Sequence, residues 1–577
     1  MATRSISQPA DMGTDPPSNS MTSVNSRSVA EPEGNAGAID KKRQTDDGAE
    51  KAAAEEEPVN YPTGFRLTCI ILALVLGIFL ASLDMTIVAT AIPKITDEFQ
   101  GLDKASWYGA AFFMANGGFQ SSWGKAYRYF PLKFTFLTSV FVFELGSLIC
   151  AVAQDSATLI VGRAINGLGA AGLGTGAYTI IAFIAPPAKR AMYTGFVGMS
   201  FGVACVAGPL IGGVFAHEVS WRWCFWINLP IGGLAALIIL FFFQTPISAK
   251  PVSATWRERL LQMDPLGIAL VMGSIVCFML ALQQGGQTYP WRSRHIVGLL
   301  VGFAALAALF GLWEWRQGER SMIVPRLFGK RPVFVSCLTA MILLGGYYLI
   351  IYQLPVYFQS VGNASPTMSG VYNLPLIVAT TISMISSGAA ISSSGGTLTP
   401  YLQSCGAMVA TVAAGLLYTL DTDSDTGRWV GFQLLGGIGW GIAFQIPIIA
   451  TQATVSETPE DVGPATAMVL FFQCIGGAVF VTAAQTAFVN KLTQTLASTL
   501  PAVDPAKVVT TGATEIRSVF PAGQVPVIVS SYMAGIKVAI AIAIAGAGLG
   551  FLITLFTRWE KPKLSEGHKE SMIVAAG

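Results

Sequence analysis

From Arg66 to about residue 557 the chain is built of apolar runs roughly 20 residues long, the length a helix needs to cross a hydrocarbon core. Inside a bilayer every backbone polar group must be satisfied within the protein, so continuous apolar runs of this length specify spanning α-helices. Their spans read 66–92, 106–124, 134–154, 158–183, 192–216, 223–245, 265–283, 296–315, 333–358, 370–392, 398–420, 429–451, 464–488 and 534–557. Fourteen crossings put both termini on one side. Hydrophobic residues make up 52% of the chain and charged residues 12%, a balance that excludes a soluble globular protein of this length. The expected class is an all-α polytopic membrane protein.

Charge fixes the orientation. With the amino terminus inside, Lys125, Arg128, Lys133, Lys189, Arg190, Lys250, Arg257, Arg259, Arg316, Arg320, Arg326, Lys330 and Arg331 all fall in inner loops, as the excess of basic residues on the cytoplasmic side requires. Both termini are therefore expected in the cytoplasm. The N-glycosylation acceptor Asn363-Ala364-Ser365 then lies outside the cell. Residues 1–62 are rich in Ser, Asp, Glu, Ala and Pro without an apolar core and read as a disordered tail. The rest divides into a six-helix half over 63–245, an inserted helix pair with its loops over 246–331, a second six-helix half over 332–558 with a long outer loop at 489–533, and a tail over 559–577. A weak internal repeat supports the two halves: Gly162, Gly167 and Gly172 recur as Gly431, Gly436 and Gly441 at one constant offset.

One stretch, GMSFGVACVAGPLIGGVFAHEVSWRWCFWINLPIGG from Gly198, combines small residues with a proline. Gly198, Gly202, Cys205, Pro209 and Gly212 recur at near-helical intervals, so a neighbouring helix can approach to backbone contact. Pro209 removes a hydrogen bond to the Cys205 carbonyl and predicts a bend. Trp221, Trp223 and Trp226 read as anchors at the membrane interface.

Ionisable groups inside spans persist only with a partner or a wet cavity. Asp84 in the first helix and Arg163 in the fourth form a candidate pair that protonation would weaken, and Glu144 in the third is a further proton-coupling candidate. A static pair that only fixes helix register is the alternative. Asn116, Gln120, Tyr348, Gln353, Gln445 and Gln473 are candidates to line a mostly apolar cavity with few polar groups, suited to an amphipathic organic molecule. Catalytic chemistry finds no footing: neither metal-ligand spacing nor a nucleophile motif occurs, and no phosphate-binding loop marks ATP as an energy source. Gly167-Leu-Gly169-Ala-Ala-Gly172 matches a dinucleotide fingerprint but lies within an apolar helix, without the strand that such a site needs. No cofactor, metal, nucleic acid or enzymatic activity is expected. The eight cysteines sit in or beside apolar runs and read as packing residues.

LASLDMTIVATAIPKI, LIVGRAINGLGAAGLGTGAY, GVACVAGPLIGGVFA and SWRWCFWINLPIGG together resemble the major facilitator superfamily, specifically its fourteen-helix drug:proton antiporters. GGIGWGIAFQIPIIATQATVSETPEDVGPATA looks like fungal members that export toxins and other secondary metabolites. The resemblance implies alternating access between two halves, export of an organic compound and inward proton flow. Asp84 matches the acidic position of the first-helix motif and Arg163 the basic position of the fourth. Gly198 lies in the same stretch as Gly202, Gly208, Pro209, Gly212 and Gly213, which match the fifth-helix antiporter motif. One departure stands out: the loop after the second helix has Arg128 where the superfamily's G-x-x-x-D-R-x-G-R-K pattern has Asp, and Pro131 where it has Gly. The expected protein is a monomeric exporter in the plasma membrane, with a vacuolar or vesicle membrane as the alternative site. A siderophore or amino-acid transporter of a sibling fourteen-helix family, or a non-transporting nutrient sensor, is the alternative function.

Overall fold

The computed structural model describes residues 62–99, 105–246, 249–511 and 515–557. The two tails expected at 1–62 and 559–577 lie outside these residues, apart from residue 62. Fourteen long helices follow one another: α1 Gly64–Phe99, α2 Ala105–Tyr129, α3 Leu132–Ala151, α4 Ser156–Ile184, α5 Pro187–Val214, α6 Asn228–Phe242 and α7 Pro265–Gln284. Then come α8 Arg294–Gln317, α9 Arg331–Ser360, α10 Leu374–Ser393, α11 Thr399–Tyr418, α12 Thr426–Thr454, α13 Val462–Thr499 and α14 Val525–Thr554. Helix α9 carries a π turn at Ala340–Leu344. Among the described residues thirteen helices are long and apolar enough to cross a membrane. The exception is α2, which is 25 residues long but carries Asn116, Gln120, Ser121, Ser122 and Lys125.

Local chemistry sets the helix starts. Asp155 caps α4 by accepting from Thr158 N at 2.9 Å, and Ser293 caps α8 by accepting from Ile296 N at 3.2 Å. Asp264 caps α7 from the left-handed region, with φ 47°, ahead of Pro265 at the first helical position.

Small residues then set the packing. A Cβ on Gly146 would strike the Asn166 backbone and one on Gly169 would strike Phe143, so α3 and α4 touch backbone to backbone. The second half repeats the arrangement, with Gly439 of α12 against Ala410 of α11. Helices α1–α6 and α9–α14 form matching six-helix halves. The halves meet along two seams, α2 against α13 and α5 against α10. Helices α7 and α8 cover the first seam from outside: a Cβ on Gly118 of α2 would meet Met272, and Thr486 of α13 donates to the Leu282 carbonyl at 2.9 Å. Only 6% of the apolar window of α8 is buried.

Two expectations change. The outer loop expected at 489–533 is shorter, because α13 runs on to Thr499 and α14 already begins at Val525. The turns between them, Pro505–Thr511 and Ile516–Val519, bury Val508, Ile516 and Phe520 in the core of the second half. Mild hydropathy hid these extensions. Helix α5 continues through residue 209, where the bend is expected, and passes into a π turn at Phe215–Val219. Trp221 is buried inside the protein rather than facing lipid headgroups, and its indole donates to Glu98 Oε2 at 2.7 Å.

Candidate functional site

The deepest polar cluster joins five helices of the first half. Asp84 of α1 is 0% exposed and Arg163 of α4 is 1% exposed. The guanidinium Nη1 donates to Asp84 Oδ2, and the other carboxylate oxygen accepts from Asn166 at 3.4 Å and from Asn228 at 3.2 Å. Both amides also donate to Ser147 Oγ of α3, at 2.8 and 3.0 Å. Arg163 Nε reaches the Tyr108 carbonyl of α2 at 2.8 Å, and its planar head lies over the Phe112 ring at 4.5 Å. A charge pair removed from water is tolerable only when its remaining donors and acceptors are met in this way. The sequence reading found the two charges and missed Asn166, Asn228 and Ser147. The signal for Asn166 was its place three residues after Arg163, on the same helix face. Nothing local marked Asn228 or Ser147.

Glu144 stands apart from the pair. Its carboxyl lies against Gly232 of α6, and neither oxygen has a hydrogen-bond partner.

The cavity candidates separate into groups. Gln120 donates to Asn116 Oδ1 at 3.0 Å, accepts from Thr175 at 2.6 Å and also meets Cys474 of α13, so its network reaches across the seam. Gln445 of α12 crosses between halves to the Tyr178 hydroxyl of α4 at 3.2 Å. Tyr348 of α9 also sits at the junction: its ring meets Phe201 of α5 at 6.0 Å, and Phe201 meets Phe444 of α12 at 5.7 Å. The helix on which Gln473 lies presents Gly477 to the Tyr348 ring. Gln353 is buried with its Oε1 unpartnered.

Glycines of the α5 stretch face two partners rather than one. Side chains on Gly198 and Gly202 would strike Met384, Gln445 and Thr381 of the second half, whereas one on Gly208 would strike Thr86 of α1. Gly212 is buried, and Gly213 faces open space.

At the end bearing the basic loops the halves are sealed. Gly124 of α2 lies against Gly463 and Ala467 of α13, Gln452 donates to the Tyr178 carbonyl at 3.2 Å, and the Met192 amide donates to Ser392 at 3.3 Å. Arg128, the residue that departs from the superfamily pattern, pairs with Asp461 at 3.4 Å. Asp461 is the residue before α13 and also takes two bonds from Arg326, at 2.8 and 2.9 Å.

At the opposite end Glu98 follows α1's membrane portion. Burial pulls its carboxyl upward, but bonds from Trp221 and Arg222 outweigh that and leave it below the usual glutamate range. Asn363 is exposed, with φ 52°, and its amide oxygen accepts from Arg517 at 3.2 Å.

Residues 74–481 match the profile described as Major Facilitator Superfamily. The chain is 48% identical to the MFS-type transporter grgE of a Penicillium species, over 92% of this chain and 93% of that protein. It is also 48% identical to a Penicillium aethiopicum protein named probable efflux pump gsfJ, over 91% of this chain and 93% of that one. Among solved structures, the human organic anion transporter MFSD10 superposes with a TM-score of 0.56 at 12% identity, covering 85% of this chain and all of that one, which is a likeness of fold.

Proposed function

The chain belongs to the Major Facilitator Superfamily, and from that premise we propose that it exports an amphipathic organic molecule, of the kind fungi make as toxins or other secondary metabolites, in exchange for protons. The observation that carries the export reading is near half identity, along nine-tenths of the chain, to a relative named "probable efflux pump". Proton coupling rests on the Asp84–Arg163 junction. The face with the basic loops is the cytoplasmic one, as the charge bias of the loops requires, and the membrane is the plasma membrane. In this orientation the structure is closed toward the cytoplasm.

The junction supplies a physical step. A proton reaching Asp84 removes its charge, and Arg163 loses the electrostatic part of its hold on α1 while keeping the Tyr108 carbonyl. The cost of leaving that guanidinium without its counter-ion favours rearrangement of α1 and α4, with α6 following through Asn228. Deprotonation reverses the change. The Phe201, Tyr348 and Phe444 rings between the halves offer flat apolar surfaces, and Gln445, on the helix of Phe444, offers a hydrogen bond.

The test uses inside-out vesicles with an imposed proton gradient and extracts of fungal secondary metabolites as cargo. Asp84→Asn should lose gradient-driven uptake while reaching the membrane at parental abundance. Undiminished uptake by that variant would remove Asp84 from the coupling. Equal metabolite secretion by strains with and without the intact chain would remove export itself.

A further inference from the structure

We infer that Arg326, carried by the inserted helix pair, is a positioning residue of the transport cycle: with Arg128 it holds Asp461 and keeps the basic-loop face of the molecule shut. The superfamily pattern places an acid in the loop after α2, and this chain has Arg128 there. The structure shows where the acid has gone. Asp461 stands at the amino-terminal end of α13, in the other half, with 1% of its side chain exposed, and its negative charge also complements that helix end. The polarity of the contact is thus reversed, and the arginine of α2 reaches only one carboxylate oxygen, at 3.4 Å.

Arg326 supplies the stronger hold. It lies on a short helix, Pro325–Phe328, between α8 and α9. Two of its nitrogens take the two oxygens of Asp461, at 2.8 and 2.9 Å, the forked geometry that makes arginine–carboxylate pairs strong. Glu319 braces the same guanidinium at 3.0 and 3.3 Å.

The segment that presents Arg326 straddles the seam between the halves. On one side, buried Lys125 of α2 donates to the Glu319 carbonyl at 2.8 Å and to Gln262 at 3.2 Å, and Ser122 of α2 donates to the Met263 carbonyl at 2.9 Å. On the other side, Phe328 stacks on Phe472 of α13 at 5.7 Å. Within the segment, Glu314 accepts from the Ile323 amide at 2.8 Å and fixes the loop. When Gly124 and Gly463 part, a segment tied to both halves cannot follow both. The Arg326–Asp461 contact is the one that must yield or travel, so its strength enters the balance between closed and open forms.

The experiment reads opening directly and needs no knowledge of the cargo, so it stands or falls apart from the export reading. Thr179 is 1% exposed and lines a small cavity at the seam between Arg128, Phe183, Pro459 and Gly463, so a thiol there is shielded while the halves are in contact. In the full chain carrying Thr179→Cys, a membrane-impermeant maleimide is applied to inside-out vesicles, and labelling by the chain's own eight cysteines is subtracted using the Thr179 parent. Arg326→Gln and Asp461→Asn should each speed labelling about tenfold, the shift expected from losing one strong contact of a two-state element. Arg326→Lys should fall between them and the parent. Arg320→Gln, which loses only its bond to Glu258, should label at the parental rate. If Asp461→Asn speeds labelling and Arg326→Gln does not, Arg326 has no part in closure. If neither does, Asp461 is no latch, and both results overturn the inference. Arg326→Lys keeps the test decisive should the glutamine variant not reach the membrane.

Discussion

The two halves share a backbone plan but not a chemistry. The offset that carries Gly162 to Gly431 and Gly172 to Gly441 also carries Asp84 to Gln353 and Arg163 to Phe432. Where the first half buries an ion pair served by two amides and a hydroxyl, the second presents an amide and an aromatic ring. Its buried amides lean on the backbone instead: Gln433 donates to the Tyr372 carbonyl at 3.0 Å and Asn373 to the Ile351 carbonyl at 3.3 Å. An amide carries the same charge at every physiological pH, so this matched position can change its electrostatics with a proton only in the first half. One fold can therefore hold a responsive half and a passive half, and the difference lies in a few side chains rather than in the path of the backbone.

The largest expected effect strikes the responsive half. Arg163→Leu strands the Asp84 carboxylate and should cost about 3–5 kcal/mol, seen as a large fall in the melting temperature of the detergent-solubilised protein. Asp84→Asn with Arg163→Leu should recover most of that loss without recovering transport. If transport returns with stability, the pair is only a register device and the contrast between halves loses its meaning.

Next come the residues where the halves touch. Leucine at Gly198 must displace Met384 and Gln445 across the seam, and overpacking of this kind costs typically about 1–3 kcal/mol. Efflux should stop at undiminished protein abundance, whereas Gly213→Ala, which meets open space, should transport normally. Equal loss in both would show that the stretch senses helix propensity rather than contact.

In the passive half, Gln353→Leu removes an amide whose oxygen has no partner. Stability should change by less than about 1 kcal/mol, and the pH profile of efflux should keep its shape. A shifted profile would give the second half a share in coupling.

The smallest effect concerns Glu98. Its carboxyl is held below the usual glutamate range by Trp221 and Arg222, so its contribution is complete above the unfolded glutamate value and fades as the pH falls through the lower folded value. Because the group is largely exposed, the whole effect should stay under about 1 kcal/mol. A melting series on Glu98→Gln should match the parent in acid and fall slightly below it at neutral pH.

Helix number, order and the two charges were legible because lipid imposes a simple rule: a run must be long and apolar, and an ion within it must have a reason. Even α2, too polar to join the thirteen most apolar helices, reads as a span at 106–124 from its apolar run. What stayed hidden depends on contacts between distant segments. Asn228 is 144 residues from Asp84, and Asp461 is 333 residues from Arg128. The substitution of Arg128 was visible as a departure, while its answering acid was not, since a lone aspartate in a loop carries no mark of its partner. Trp221 shows the reverse error, for an aromatic near a helix end reads as an interface anchor until its indole is seen to bond Glu98.

Helix α8 packs one face on α7 and leaves the rest of its apolar surface uncovered by the protein. Its outward face is therefore free to drift, provided that it stays apolar and helical, while Ser293 keeps its cap and Trp313 and Glu314 keep their bonds to Asp264 and the Ile323 amide. That freedom makes it a natural mounting point: a fluorophore or an affinity handle fixed on its outward face would report on the molecule without disturbing the contacts between its two halves.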